Sequence, residues 1–340
     1  MIRLLIISFC FSVLLQADEW YFGTGLDGEK KEFYGSENMH GSFLSSPPRK
    51  ADYWERKLAK FEVQIADVGK RLQKETDQKK KYVLSDDLQK LRNNRARCLI
   101  LLGRVAEAKK LLIDIEEKFP GESTIAENLA TCFDLEGNYK EALKWINIAT
   151  ERNSMSIYSN LWVYKKILQA RFKLQSDSEF LQKNPVSGQD LDITSDELPF
   201  LAVKGMDFWS RRFKLGSTAK HIREQLQQRI QLEKTDEDPV IACLMEELAS
   251  VYAISEVCEI AIPVYELALE YGHPRPEMVK SRIKQMQTLI DQNRDSMTYS
   301  RSFADNFSKS TKLIIAAVLP LLLLIILAWW SSEKKNKAKN

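Results

Sequence analysis

Identical residues recur along this chain at a separation of 34: Asn94 and Asn128, Ala96 and Ala130, Cys98 and Cys132, Gly103 and Gly137, Glu107 and Glu141, Ala108 and Ala142. A period of this length marks an array of small units, each unable to bury its apolar side alone. Stacked units share a continuous core and contact only their neighbours, so such a chain folds as a repeat array. The letters between the matches follow a helical rhythm. Each unit therefore reads as a hairpin of two helices, and the fold class as an all-α solenoid of antiparallel helix pairs.

The two ends of the chain set its expected compartment. Residues 1–17, MIRLLIISFCFSVLLQA, combine Arg3, an apolar run from Leu4 to Leu15 and the small Ala17, the pattern of a secretory signal peptide. An uncleaved N-terminal anchor is the rival reading, although the run is short for a bilayer. Leu313 to Trp330 are eighteen residues without a charge. As a helix rising 1.5 Å per residue they extend about 27 Å, close to the hydrocarbon thickness. Trp329 and Trp330 stand where an aromatic belt meets the interface. The following tail, residues 331–340, carries four lysines against one glutamate. These features predict a single-pass membrane protein with its bulk periplasmic or extracellular and a basic cytoplasmic C-terminus.

Charge narrows the partners. The formal net charge of the 340 residues is +3, and the tail alone carries four Lys minus one Glu. The remainder is balanced, which argues against a nucleic-acid-binding surface. Cys98, Cys132, Cys243 and Cys258 lie beyond the leader. An exported chain permits disulfides, but the spacing favours four small buried hydrophobes, and there is no CxxC pair to suggest zinc or redox chemistry.

Between the ends, residues 18–50 show no helical or alternating pattern and read as an extended leader. Its aromatics (Trp20, Tyr21, Phe22, Phe33, Tyr34, Phe43) are available to fold back on the body. From Trp54 the spacing of Leu58, Phe61, Ile65, Val68 and Leu72 is that of an amphipathic helix packed on the next hairpin. The clearest repeats occupy 84–120 and 121–153, and a third unit occupies 240–274 within a helical domain spanning 51–294. Between them a helix is expected over 156–173, a loop over 176–196, and a hairpin of 197–214 and 218–234 turning at Gly216. Residues 278–290 read as an end cap, 295–311 as a polar stalk and 312–330 as the transmembrane helix.

The units resemble the tetratricopeptide repeat. The second carries Leu129-Ala130-x2-Phe133, Gly137, Tyr139, Ala142-x3-Ile146 and Ala149; the first carries Ala96-x2-Leu99, Gly103, Ala108-x3-Leu112 and Pro120. The third carries Leu248-Ala249-x2-Tyr252, Ala261-x3-Tyr265, Ala268 and Pro274. Two key alanines stand twelve apart in all three, where the helices of a hairpin cross closely. The arrangement is also similar to uncharacterised cell-envelope tetratricopeptide proteins of bacteria. The resemblance implies that the first helix of each hairpin lines a concave face and places Lys90, Asn93, Asn94, Arg97, Glu127, Asn128 and Thr131 there. Stacked asparagine amides can hydrogen-bond the backbone of an extended peptide. The competing reading has Asn94 and Asn128 bridge or cap within the array. The expected partner is thus a protein or peptide, with membrane contact through Leu313–Trp330.

Patterns for catalysis are weak. Gly23-Thr24-Gly25-Leu26-Asp27-Gly28 fits G-x-G-x-x-G but lacks the surrounding strand and helix pattern a dinucleotide site requires. His40, His221 and His273 are scattered, and His221 reads as solvated beside Lys220 and Arg223. The acidic pairs Asp86-Asp87 and Glu246-Glu247 read as surface charge. No cofactor, metal or catalytic residue is expected. The alternatives to a scaffold are a structural or oligomeric envelope component, a cytosolic tail-anchored receptor, and an enzyme whose pocket the 176–196 insert and the Trp20–Phe43 leader would build.

Overall fold

The computed structural model describes residues 20–34, 49–153, 159–189, 195–199, 208–232 and 237–293. The signal peptide, stalk, transmembrane and tail assignments fall outside them. Among the described residues, no helix is long and apolar enough to cross a membrane. The chain divides into two compact units. One comprises residues 23–31 and 37–292; the other comprises the terminal segments 1–22, 32–36 and 293–340. Of the latter, only the strand residues 20–22 and 32–34 and the last residue of the final helix are described.

The fold is all-α, as the periodicity predicts, and is consistent with a helical solenoid. Two short strands, β1 (Trp20–Thr24) and β2 (Lys30–Tyr34), precede the helices. The helices are α1 (Ala51–Lys74), α2 (Gln78–Leu101), α3 (Val105–Lys118), α4 (Ser123–Leu135), α5 (Tyr139–Arg152) and α6 (Leu161–Leu174). Then come the single turn α7 (Phe180–Lys183), α8 (Phe208–Leu232), α9 (Pro239–Ser255), α10 (Cys258–Glu270) and α11 (Pro276–Asn293). Each of α1 to α6 packs on its successor, and α2 also touches α4.

The repeat period has a direct structural counterpart. Ala96, Ala108, Ala130, Ala142, Ala249 and Ala261 are all fully buried, so close crossing of the paired helices is why each position is small. The two α-hairpin turns are also superposable by hydrogen bond. Leu102, Gly103 and Arg104 donate from their backbone to Cys98, Ile100 and Leu99. Glu136, Gly137 and Asn138 donate in the same way to Cys132, Asp134 and Phe133, each 34 residues on. Gly103 (φ 78°) and Gly137 (φ 73°) hold the left-handed position that closes this type of helix end.

Helix starts are written locally. The Asp77 carboxylate accepts from the backbone of Lys79 and Lys80 at the start of α2. Asp238 accepts from Val240 and Ile241 at the start of α9, with Pro239 in the first turn. Helix α9 is buried from Val240 to Ala253, the signature of a helix surrounded on all sides. It touches α6, α7, α8 and α10.

Three expectations are corrected. The leader is not wholly extended coil: β1 and β2 pair through a turn at residues 25–29, and the Thr24 backbone N–H and hydroxyl both donate to the Glu259 carboxylate at 2.8 and 2.9 Å. The G-x-G-x-x-G stretch is therefore a strand-to-strand turn, not a phosphate loop. The hairpin expected around Gly216 is instead one continuous helix, α8, because a glycine with no close neighbours on its exposed face is tolerated mid-helix. The 176–196 loop contains α7, and its Val186 and Ser187 are buried. All four cysteines are buried and free, with burial pushing the Cys132 and Cys258 thiols up to about 12.

Candidate functional site

A cavity of about 620 Å³ opens on the side formed by α2, α4 and the C-terminal end of α8. Helix α2 supplies Lys90, Asn93, Asn94 and Arg97 to its wall, and α4 supplies Glu127, Asn128 and Thr131. All seven candidate residues thus meet in one place, drawn from the first helices of two successive units. Their spacing explains this: positions 90, 93, 94 and 97 follow the i, i+3, i+4, i+7 face of α2, and α4 repeats that face one unit later.

Helix α8 was not anticipated as part of this wall. Gln228, Arg229, Gln231 and Leu232 line it, with Asn160 from the turn before α6. The wall is consequently rich in amides: Asn93, Asn94, Asn128, Asn160, Gln228 and Gln231.

The amides differ in how far they are already engaged. The Asn128 amide donates to Asn93 Oδ1 at 2.8 Å, and the Asn93 amide donates to Thr124 Oγ1 at 3.0 Å. Asn160 donates to Glu224 at 3.0 Å and accepts from Gln225 at 2.9 Å. Asn94 and Arg97 are exposed, and among the described residues neither makes a side-chain hydrogen bond or ion pair. Lys90 is held by Asp86 at 2.7 Å. Thr131 donates back to the Glu127 carbonyl at 3.1 Å. Burial raises the Glu127 carboxyl above its usual range, against the pull of Arg229 and Arg97.

A buried ionic cluster fixes the α8 side of the wall. The Asp134 side chain has no solvent exposure and accepts from Arg171 at 2.7 Å, Arg229 at 3.0 Å and the Tyr164 hydroxyl at 3.2 Å. Arg171 also reaches Asp238 at 2.5 Å, and the Arg229 guanidinium lies 4.1 Å over the Tyr164 ring. Three helices, α4, α6 and α8, are thereby tied at one carboxylate, and Arg171 extends the tie to Asp238 at the start of α9. Burial and the neighbouring Asp134 charge push the Tyr164 phenol well above its ordinary value.

A second buried cluster corrects the reading of Glu246 and Glu247 as surface charge. Both are about 1% exposed and point in different directions, as adjacent helical residues must. Glu246 pairs with the buried Arg282 at 2.5 Å and accepts from Ser250 at 2.9 Å. Arg282 also donates to the carbonyls of Ser195 and Glu197 at 3.0 Å each. Glu247 accepts from the backbone of Val186, and from the backbone of Ser187 at 2.9 Å and its hydroxyl. Burial raises the Glu247 carboxyl to about 7. His221 is likewise not solvated: its Nδ1 accepts from the Trp162 indole at 2.9 Å.

The α2–α4 wall offers carboxamides from Asn93, Asn94, Asn128, Asn160, Gln228 and Gln231 and the positive charges of Lys90, Arg97 and Arg229. No protein-family model, curated protein or solved structure matches the chain.

Proposed function

We propose that the chain is an exported, membrane-anchored scaffold of the tetratricopeptide type, whose α2–α4 cavity binds an extended segment of a partner protein. The observation that carries this reading is the convergence of Lys90, Asn93, Asn94, Arg97, Glu127, Asn128 and Thr131 on one amide-rich wall. The carboxamides offer donors and acceptors that suit a peptide backbone, whatever its side chains. Asn94 and Arg97 are the groups left available, and Arg97 with Lys90 favours a partner segment bearing acidic residues.

The 34-residue recurrence of the turns and buried alanines supports the repeat assignment. The leader and the run Leu313–Trp330 support export and anchoring, with residues 18–311 outside the cytoplasm. The bonds among Asn128, Asn93 and Thr124 favour a second reading, in which this face only holds neighbouring units together in a structural envelope component.

A photo-crosslinking residue at Asn94 in living cells distinguishes the two. Binding predicts one discrete adduct, which identifies the partner. Asn94→Ala with Arg97→Ala should then weaken the affinity at least about thirtyfold, since a neutral hydrogen bond contributes roughly 0.5–1.5 kcal/mol and a charged one roughly 1.5–3 kcal/mol. Absence of an adduct, or equal affinity of the variant, removes the cavity as the binding site. Protease added outside spheroplasts should degrade the body and spare only a short C-terminal fragment; protection of the body overturns the export reading.

A further inference from the structure

The first helical hairpin is longer than the repeat requires. Helix α4 begins at Ser123, so its 34-residue equivalent in α2 is position 89, yet α2 begins at Gln78. The eleven additional residues extend α2 by about 16 Å. Helix α1 covers that extension with its own last turns, connected by residues 75–77. The core cluster of this region takes Trp54, Leu58 and Phe61 from α1 and residues from Ala96 onward from α2, at the far end of both helices. The tip is therefore a projection that the core of the repeats does not need.

Its chemistry is one-sided. Residues 70–83, KRLQKETDQKKKYV, hold six cations and two acids, net +4, against +3 for the whole chain. Both acids are turned to the backbone: Glu75 accepts from Thr76 and Asp77, and Asp77 caps α2. Arg71 has only a long contact to Asp67 at 3.9 Å. Among the described residues, Lys74, Lys79, Lys80 and Lys81 have no ion pair. The cations also converge rather than radiate. Arg71 and Lys74 from α1 and Lys79 and Lys80 from α2 line one concavity of about 510 Å³ together with the acids Glu75 and Asp87 and the apolar Val83 and Leu84, so cations outnumber acids there by two. Glu75 and Asp87 offset part of this charge, and the concavity stays net positive. Beside them two apolar side chains face water: Tyr82 is 77% exposed and Val83 56%.

Cations around a shallow concavity, flanked by an exposed tyrosine and valine, match the boundary of an anionic bilayer. Lipid phosphates would meet the lysine and arginine heads, and the tyrosine ring would sit at headgroup level. We propose that the α1–α2 tip docks on an anionic phospholipid surface, with a lipid phosphate in the concavity formed by Arg71, Lys74, Lys79 and Lys80. The net positive charge of the concavity favours this over a neutral surface, and the adjacent exposed apolar pair favours a bilayer over a purely polar polyanion. This docking is independent of any peptide in the α2–α4 cavity.

The test uses the full chain reconstituted into vesicles of phosphatidylcholine alone or with phosphatidylglycerol. An environment-sensitive fluorophore is placed on the exposed Gln78→Cys position in a Cys10→Ser background, the other four cysteines being buried. The probe reports the tip whatever holds the rest of the chain. Docking predicts a blue-shifted emission on anionic vesicles only, reversed by high salt. Each basic residue near such a surface contributes roughly fivefold, so Lys74→Gln, Lys79→Gln and Lys80→Gln together should lower the docked-to-free ratio about a hundredfold. Circular dichroism of that variant checks that its helices persist, and single Lys→Gln variants should each give an intermediate shift. Equal emission on the two vesicle types overturns the proposal. So does a probe that ignores both vesicles yet responds to soluble polyglutamate, which assigns the tip to an acidic protein.

Discussion

Replacing Asp134 should damage this protein more than any exposed acidic substitution, because its carboxylate has no solvent exposure and is shared by two guanidiniums and a phenol. Asp134→Ala leaves Arg171 with Asp238 but takes from Arg229 the carboxylate it pairs with at 3.0 Å, and the Arg229 side chain is 3% exposed, so the loss falls mainly there. Removing one partner of a buried ion pair typically costs about 3–5 kcal/mol. For a domain of this size each kcal/mol moves the melting temperature by roughly 2–4 °C, so the expected drop is about 6–20 °C. Asp134→Asn should rescue little. It keeps the shape and one acceptor, but it turns an NH2 group toward a guanidinium.

Thermal melts followed at 222 nm on the full chain in detergent provide the first measurement. Hydrogen exchange provides the second, because Asp134 is a tie between α4 and α8. Protection over residues 215–232 should fall further than protection in α2 and α3. The double variant Asp134→Asn with Arg229→Met removes both charges and should recover at least about 1 kcal/mol relative to the sum of the single changes. A drop below about 2 °C for Asp134→Ala, or uniform loss of protection along the chain, refutes the claim that this carboxylate holds α8 in place.

Other consequences are as direct. The Glu247 carboxyl is about 7 when folded and 4.5 as a free side chain, so the folded state holds the extra proton and stability should fall by about 3 kcal/mol as pH rises from 4.5 to 7. Denaturant titrations across pH 4–8 should show this fall reduced in Glu247→Gln, and an unchanged slope sinks the assignment. Ala142→Trp should overpack the α4–α5 crossing and cost about 1–3 kcal/mol or more in the same assay, whereas an unaffected melt argues against close crossing. Gly137→Ala and Gly216→Ala should move stability in opposite directions by roughly 0.5–1 kcal/mol each. The first forces a Cβ into φ 73°, and the second improves an open helical position; shifts of the same sign contradict the two backbone assignments.

What the sequence made legible is what depends on period and size. Alanines twelve apart and glycines 34 apart announce crossings and turns because only small or left-handed residues fit there, and the structure buries the former and gives the latter positive φ. Gly216 misled because a glycine and a polar neighbour look the same at a turn and on the outer face of a long helix; nothing nearby constrains it. The buried charges were illegible for a different reason. Asp134, Glu246 and Glu247 occupy helix faces where acids are ordinary on a surface, and their burial depends on Arg171, Arg229, Arg282 and the Val186–Ser187 backbone arriving from 36 to 95 residues away. The weak signal that existed was α9 itself, a run so apolar around its whole circumference that two adjacent glutamates within it had no solvent side to occupy. The candidate cavity falls between these cases. The repeat placed Asn94 and Asn128 at equivalent positions, and both do line the wall. The bond that forms, however, joins Asn128 to Asn93, an offset of 35. A ladder of equivalent residues requires neighbouring helices to stack without relative rotation or slide. One position of displacement transfers the contact to the adjacent asparagine and leaves Asn94 facing outward, with its amide available to a partner.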